Sequence, residues 1–139
     1  MDEESHYATV GGHPTFATLV DRFFEGVAGD ALLRPMYPDD LSGPRERLTW
    51  FLEQYWGGAT TYSQRRGHPA LRMRHLRFHL DGAARDHWLA HMWSALDALG
   101  LPAEQAAPIW DHLERTADFL RNVPEPPNGT TDERTGTTA

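Results

Sequence analysis

The chain has 139 residues, 40% of them hydrophobic and 24% charged, which suits one domain built around one core. Its formal charge of −7 argues against a nucleic-acid surface, since the arginines cluster only locally, from Arg65 to Arg77. It has no cysteine, which excludes disulfides and thiol chemistry, and no apolar leader or membrane-length apolar run, so it reads as cytoplasmic.

The choice of hydrophobe points to a fold class. There is one Ile and four Val, against 31 Leu and Ala together. Strands favour β-branched residues, whereas Leu and Ala favour helices. The expectation is an all-α domain over residues 1–123, with a disordered tail over 124–139 that contains no large hydrophobe.

In chain order, a short segment with Tyr7 and Val10 stops at Gly11-Gly12. Pro14 suits the first turn of a helix, where its missing N–H is not needed. Phe16, Leu19, Val20, Phe23, Phe24 and Val27 then recur at three-four spacing, so the helix over 14–28 buries one face. Leu32, Leu33 and Met36 suggest a brief helical piece before Tyr37-Pro38-Asp39-Asp40. Ser42-Gly43-Pro44 starts a helix over 44–56, with Leu48, Phe51, Leu52 and Tyr55 on its apolar stripe and Gly57-Gly58 ending it. Residues 59–70 lack periodicity and read as a loop, and Leu71 to Phe78 as a short helix. Asp81 is placed to cap a helix over 82–99, which carries Trp88, Leu89, Met92, Leu96 and Leu99 and closes at Gly100. The last helix, over 102–122, turns Ala106, Ile109, Leu113, Ala117 and Leu120 inward, with Pro108 expected to kink it.

The connector between the second and third long helices is where chemistry is expected, because long loops inside compact domains usually have a reason. Eight histidines invite a metal reading. His6, His13, His68 and His112 fall at termini, loop entries or polar faces and read as solvated. His75 with His79, and His87 with His91, have the four-residue spacing of a zinc pair, although no Glu or Cys completes either site.

His75 has a more specific setting. Met73, Leu76 and Phe78 alternate around it with Arg72, Arg74 and Arg77. A haem needs that combination: an apolar bed, one neutral imidazole for iron and cations for two propionates. A satisfied histidine in an arginine-rich surface helix would look the same locally. Phe24, Tyr37, Phe51, Tyr55, Trp56 and Trp88 fall on or beside apolar faces, and Tyr37 and Trp88 carry polar hydrogens that need partners if buried.

Several runs resemble group II truncated haemoglobins. Phe51-Leu52-Glu53-Gln54-Tyr55-Trp56-Gly57-Gly58 resembles the end of their distal helix. Tyr62-Ser63, Arg66-Gly67-His68-Pro69 and Leu71-Arg72-Met73-Arg74-His75 resemble their linker and proximal segment. Val10-Gly11-Gly12, Tyr37-Pro38-Asp39-Asp40-Leu41 and Arg85-Asp86-His87-Trp88-Leu89 fit in order and spacing. The resemblance spans roughly residues 7–122.

It implies a two-over-two helical sandwich around haem b, with the helices near 14–28 and 44–56 in one layer. His75 falls on the proximal iron ligand and Trp88 on the tryptophan whose indole N–H points at the bound ligand. Tyr37 falls on the aromatic position after the second helix. Pro44 and Leu48 fall on distal positions lining the pocket and its gate. The family's usual distal tyrosine aligns with Phe24, so that hydroxyl is missing and Trp88, then Tyr37, are left as ligand donors. Arg77 stands where the family often has Pro. The pocket set is completed by Phe51, Met73 and Phe78, with Arg47, Tyr62, Arg72 and Arg74 as candidates for the propionates.

Three functions compete on these grounds. The chain binds dioxygen or another diatomic and oxidises nitric oxide with the help of a reductase; or it is a peroxidase-like redox protein; or it is a non-haem helical metal or interaction protein. Family habit points to a homodimer.

Overall fold

The computed structural model describes residues 5–67, 70–76 and 78–122, and of Arg72 the backbone alone. The expected tail, His68 and Arg77 lie outside the described residues. Among those described, the chain forms helices and no strand. They are α1 (His6–Thr9), α2 (His13–Ala28), α3 (Ser42–Tyr55), α4 (Thr61–Arg66), α5 (Leu71–His75), α6 (Gly82–Ala98) and α7 (Ala103–Leu120), with one 3₁₀ turn at Arg34–Met36 between α2 and α3.

α2 is the centre of the core. All six residues of its expected stripe, from Phe16 to Val27, are buried. Each large apolar side chain removed from water contributes about 1.5–3 kcal/mol, so this one stripe outweighs any single polar contact. α2 packs against both α3 and α6, and α6 packs against α7. The result is two helix pairs laid across each other, a two-over-two sandwich.

Local chemistry sets the ends of these helices. The Asp81 carboxylate accepts from the Ala84 N–H at 2.9 Å and caps α6, as its position predicts. Gly100 follows α6 at φ +68°, a conformation that costs a side-chain-bearing residue energy. α7 runs through Pro108; both Pro108 and Glu104 are exposed, so the carbonyl that Pro108 cannot pair lies on the water side.

The connector departs from the expected loop. Residues 61–66 form α4, although their sequence has no apolar period. A tertiary clasp supplies what propensity lacks: the Gln54 amide donates to Ser63 Oγ at 2.7 Å, and its carbonyl accepts from the Ser63 N–H at 3.0 Å. Tyr62 is buried and meets Phe51 edge-on. Gly67, at φ +73°, stops the helix.

His87 and His91 also find a non-metal explanation. Both donate to one oxygen of Asp30, from Nδ1 at 2.9 Å and from Nε2 at 2.7 Å. The other Asp30 oxygen accepts from the Leu32 and Leu33 N–H groups. Burial would raise the Asp30 pKa, but the hydrogen bonds from His91, His87 and the backbone outweigh it and hold the carboxyl well below the usual range. The cluster ties the end of α2 to α6 one residue before Trp88. Among the described residues no group of three or more ligating side chains has a metal-site arrangement.

Candidate functional site

A cavity of about 330 Å³ opens between α2, α3, the α4–α5 connector, α6 and α7. Ten of the twelve expected pocket residues line it: Phe24, Tyr37, Pro44, Arg47, Leu48, Phe51, Tyr62, His75, Phe78 and Trp88. Met73 does not. It is 73% exposed, because α5 turns Leu71 and His75 toward the cavity and leaves Met73 on the opposite side. Leu76, expected beside His75, is likewise exposed. Arg72 lies on α5, and nothing is described of its side chain.

His75 is held from two sides. Its Nδ1 lies 2.7 Å from the Leu71 carbonyl, the only acceptor role being the carbonyl's, so Nδ1 carries the hydrogen and Nε2 is left with a free lone pair. Asn122, just beyond α7, donates from its amide to the carbonyls of His75 at 3.2 Å and Phe78 at 2.9 Å. Its own carbonyl accepts from the Leu80 N–H. A weak five-residue helix is thereby latched to the end of α7. The sequence reading missed Asn122, whose only signal is an amide placed just before the Pro124 stop. His79 is exposed beside Asp81 and shares no face with His75, since α5 has already ended.

The opposite wall is aromatic. Phe23 and Phe24 meet edge-on, Phe23 contacts Trp88 and Phe24 contacts Tyr37, with centroids 5.0–5.4 Å apart. The Tyr37 phenol is pushed up to about 12 by burial, an effect partly offset by a hydrogen bond from Trp88. An indole N–H can only donate, so the phenol oxygen accepts and its own proton stays available. Arg34 steadies the turn that carries Tyr37 by donating to the carbonyls of Tyr37, Pro38 and Asp39.

Arg47, Arg66 and Arg74 stand at the cavity wall, and Tyr62 lines it too. Arg66 was not anticipated, because it lies in the segment read as loop. Arg85 also lines the cavity, but it is engaged with Asp86 and Asp118.

His112, expected to be solvated, is buried. It lies on the inward face of α7, three residues past Ile109, and stacks on Tyr55 with centroids 3.6 Å apart. Phe51 and Trp56 complete its box, and its Nδ1 is buried with no partner among the described residues. Burial, helped by the Arg115 charge and opposed by Asp111, lowers its pKa to about 4. The folded state therefore holds it neutral, while the unfolded chain binds its proton near the ordinary histidine value. The stability this group contributes is present above about pH 6.5 and declines as the pH falls toward 4, by about 3 kcal/mol in all. Urea unfolding at pH 7 and pH 5 is expected to show a smaller pH effect in His112→Phe than in the parent; equal pH effects would refute the assignment.

The cavity thus presents an apolar slot, one imidazole with a free nitrogen on the α5 side, two polar hydrogens opposite and cations at the edge. The donor set fits a haem. Comparison with known proteins agrees. Residues 5–122 match the model of the bacterial-like globin family.

The chain belongs to the bacterial-like globins, as a truncated haemoglobin of group II. It is 40% identical over 114 residues to the group 2 truncated haemoglobin YjbI of Bacillus subtilis, covering 82% of this chain and 86% of that one. Among solved structures, a thermostable haemoglobin from Thermobifida fusca is 51% identical, with a TM-score of 0.86 over 88% of this chain and all of that one. The group II truncated haemoglobin of Bacillus anthracis is 31% identical, with a TM-score of 0.87 over 94% of this chain and all of that one. The globin's cofactor is haem b, and its activity is the binding of diatomic ligands at haem. No described helix is long and apolar enough to cross a membrane.

Proposed function

We propose that this truncated globin binds dioxygen reversibly and uses it to oxidise nitric oxide. Haem b, when bound, supplies the iron that takes the diatomic ligand. Net, nitric oxide, dioxygen and one electron give nitrate, the electron coming from a reductase.

His75 is the iron ligand in this reading, with Nε2 free because Nδ1 is committed to the Leu71 carbonyl. Arg47, Arg66, Arg74 and Tyr62 hold the propionates through charge-assisted hydrogen bonds. Phe24, Leu48, Phe51 and Phe78 exclude water from the ring faces, and Pro44 bounds the entry.

The observation that carries the proposal is the pair opposite His75. Trp88 and Tyr37 are the polar hydrogens of an otherwise aromatic wall, Trp88 packed on Phe23 and Tyr37 on Phe24. Such donors stabilise a ligand that gains negative charge, as dioxygen does. A peroxidase would want an acid–base group on that wall, and among the described lining residues His75 is the only imidazole.

Adding hemin to the purified chain is expected to give a ferrous spectrum with one histidine ligand. Stopped-flow mixing of the oxygenated protein with nitric oxide is expected to yield nitrate stoichiometrically and faster than spontaneous dioxygen loss. Peroxide turnover of a phenolic donor outpacing that reaction would favour the peroxidase reading instead. Asn122→Ala should accelerate haem loss to a scavenger globin roughly 10–100-fold, the usual cost of removing a ligand's support. Parental retention would show that the latch is idle.

A further inference from the structure

The charge of this molecule is sharply divided. Between positions 54 and 80 there are five arginines and no carboxylate, so the remainder of the chain carries −12 of formal charge against −7 overall. Of these five arginines the described structure places Arg65, Arg66 and Arg74, the last two at the wall of the haem cavity. Arg66 and Arg74, with Arg47 from α3, line the cavity, and Arg65, Arg66 and Arg74 are exposed. Arg65 lies over the Trp50 ring, 5.8 Å from its centroid, which holds its charge near the surface of α3.

An apolar feature flanks Arg74, whose guanidinium donates to the Arg66 carbonyl and so joins α5 to the arginine end of α4. Met73 is 73% exposed and Leu76 62%, the two most exposed large hydrophobics among the described residues. They project outward from the turn whose inner side carries His75. Exposed hydrophobes surrounded by one sign of charge are the pattern of an interface, and a basic face on an acidic molecule orients an incoming acidic partner.

Other occupants fit less well. Two propionates neutralise two cations and touch neither Met73 nor Leu76, which point away from the cavity. A polyanion such as nucleic acid would be repelled by a chain that carries −12 of formal charge outside this short segment.

We propose that the Met73–Leu76 face, with its arginine surround, is the docking site of an acidic electron-donor protein. The inference rests on the proposed turnover, which consumes one electron per nitric oxide. The face is suited to that task because His75 lies between Met73 and Leu76 in the chain and faces the cavity. The partner is expected to present carboxylates around a small apolar spot. Its association is governed by long-range attraction that salt screens over about 8–10 Å at ordinary ionic strength.

The test uses the haem-loaded protein with a photoreduced acidic [2Fe–2S] ferredoxin as probe and a basic cytochrome c as control. Reduction of the ferric globin by ferredoxin should slow about tenfold or more between 20 and 200 mM salt. Calorimetry should detect the ferredoxin complex at low salt and none with the cytochrome. M73E, L76E and R65E should each slow ferredoxin reduction and weaken the complex at least fivefold. Reduction by dithionite, haem retention and dioxygen affinity should stay at parental values, and M73L should behave as the parent. The proposal is overturned if ferredoxin does not associate, if its rate is indifferent to salt, or if the three variants react as the parent does. It is equally overturned if the variants instead abolish a dimer of this chain, since a second copy would then own the face. Normal ferredoxin reduction without nitrate formation would leave docking intact and reject only the nitric oxide reading.

Discussion

His75→Ala should abolish stable haem binding, whereas His79→Ala should leave it unchanged. The two histidines differ in what the fold does with them. His75 is half-buried at the cavity wall, with one ring nitrogen fixed by the Leu71 carbonyl and the backbone around it latched by Asn122. His79 follows the end of α5, faces water and sits 3.3 Å from Asp81. Among the described residues no other histidine lines the cavity: His87 and His91 are held by Asp30, His13 by Glu53 and His6 by the Gln105 carbonyl, while His112 sits in its aromatic box. Loss of the ligand itself should exceed the roughly 10–100-fold cost of losing its supports. Hemin titration of both variants, followed in the visible spectrum after reduction, checks this. A parental ferrous spectrum in His75→Ala would reassign the iron ligand.

Much of this was legible in the sequence, and the reasons differ by element. α2 was readable because six apolar residues at three-four spacing leave no other way to bury them together. α6 announced its start through Asp81 and its end through Gly100, since capping chemistry is local. α4 was not readable, because what holds it is Gln54 reaching across from α3, a contact with no local trace. His112 was misplaced for a related reason. A histidine on an apolar face reads as polar until the aromatic box that receives it is assembled from a distant helix. Met73 shows the converse error: apolar composition beside His75 suggested a lining residue, but on a five-residue helix only the side facing α7 reaches the cavity. The His87–His91 spacing was real, and what it meets is a carboxylate.

Trp88→Phe should speed dioxygen release more than Tyr37→Phe does, and the asymmetry follows from how the two are connected. Phe24 contributes a ring and no hydroxyl, so the wall opposite His75 has two donors. The Trp88 indole lowers the pKa of the buried Tyr37 phenol, and as a group that can only donate it turns the phenol proton away from itself. Replacing Trp88 removes one donor and also the group that orients the other. Replacing Tyr37 removes one donor but frees the indole N–H to turn fully to the ligand. With about 1–2 kcal/mol for each hydrogen bond to a partly charged acceptor, release should rise roughly 10–30-fold for Trp88→Phe and about fivefold or less for Tyr37→Phe. The double variant should fall short of the product of the singles' effects, because the pair acts as a unit. Stopped-flow dioxygen displacement by carbon monoxide measures all three rates. Equal or reversed single effects would show that the phenol is the principal donor and the indole its support. Phe24→Tyr then provides an independent check, since a hydroxyl restored on the Tyr37 side of the wall should slow release, and more so once Trp88 is gone.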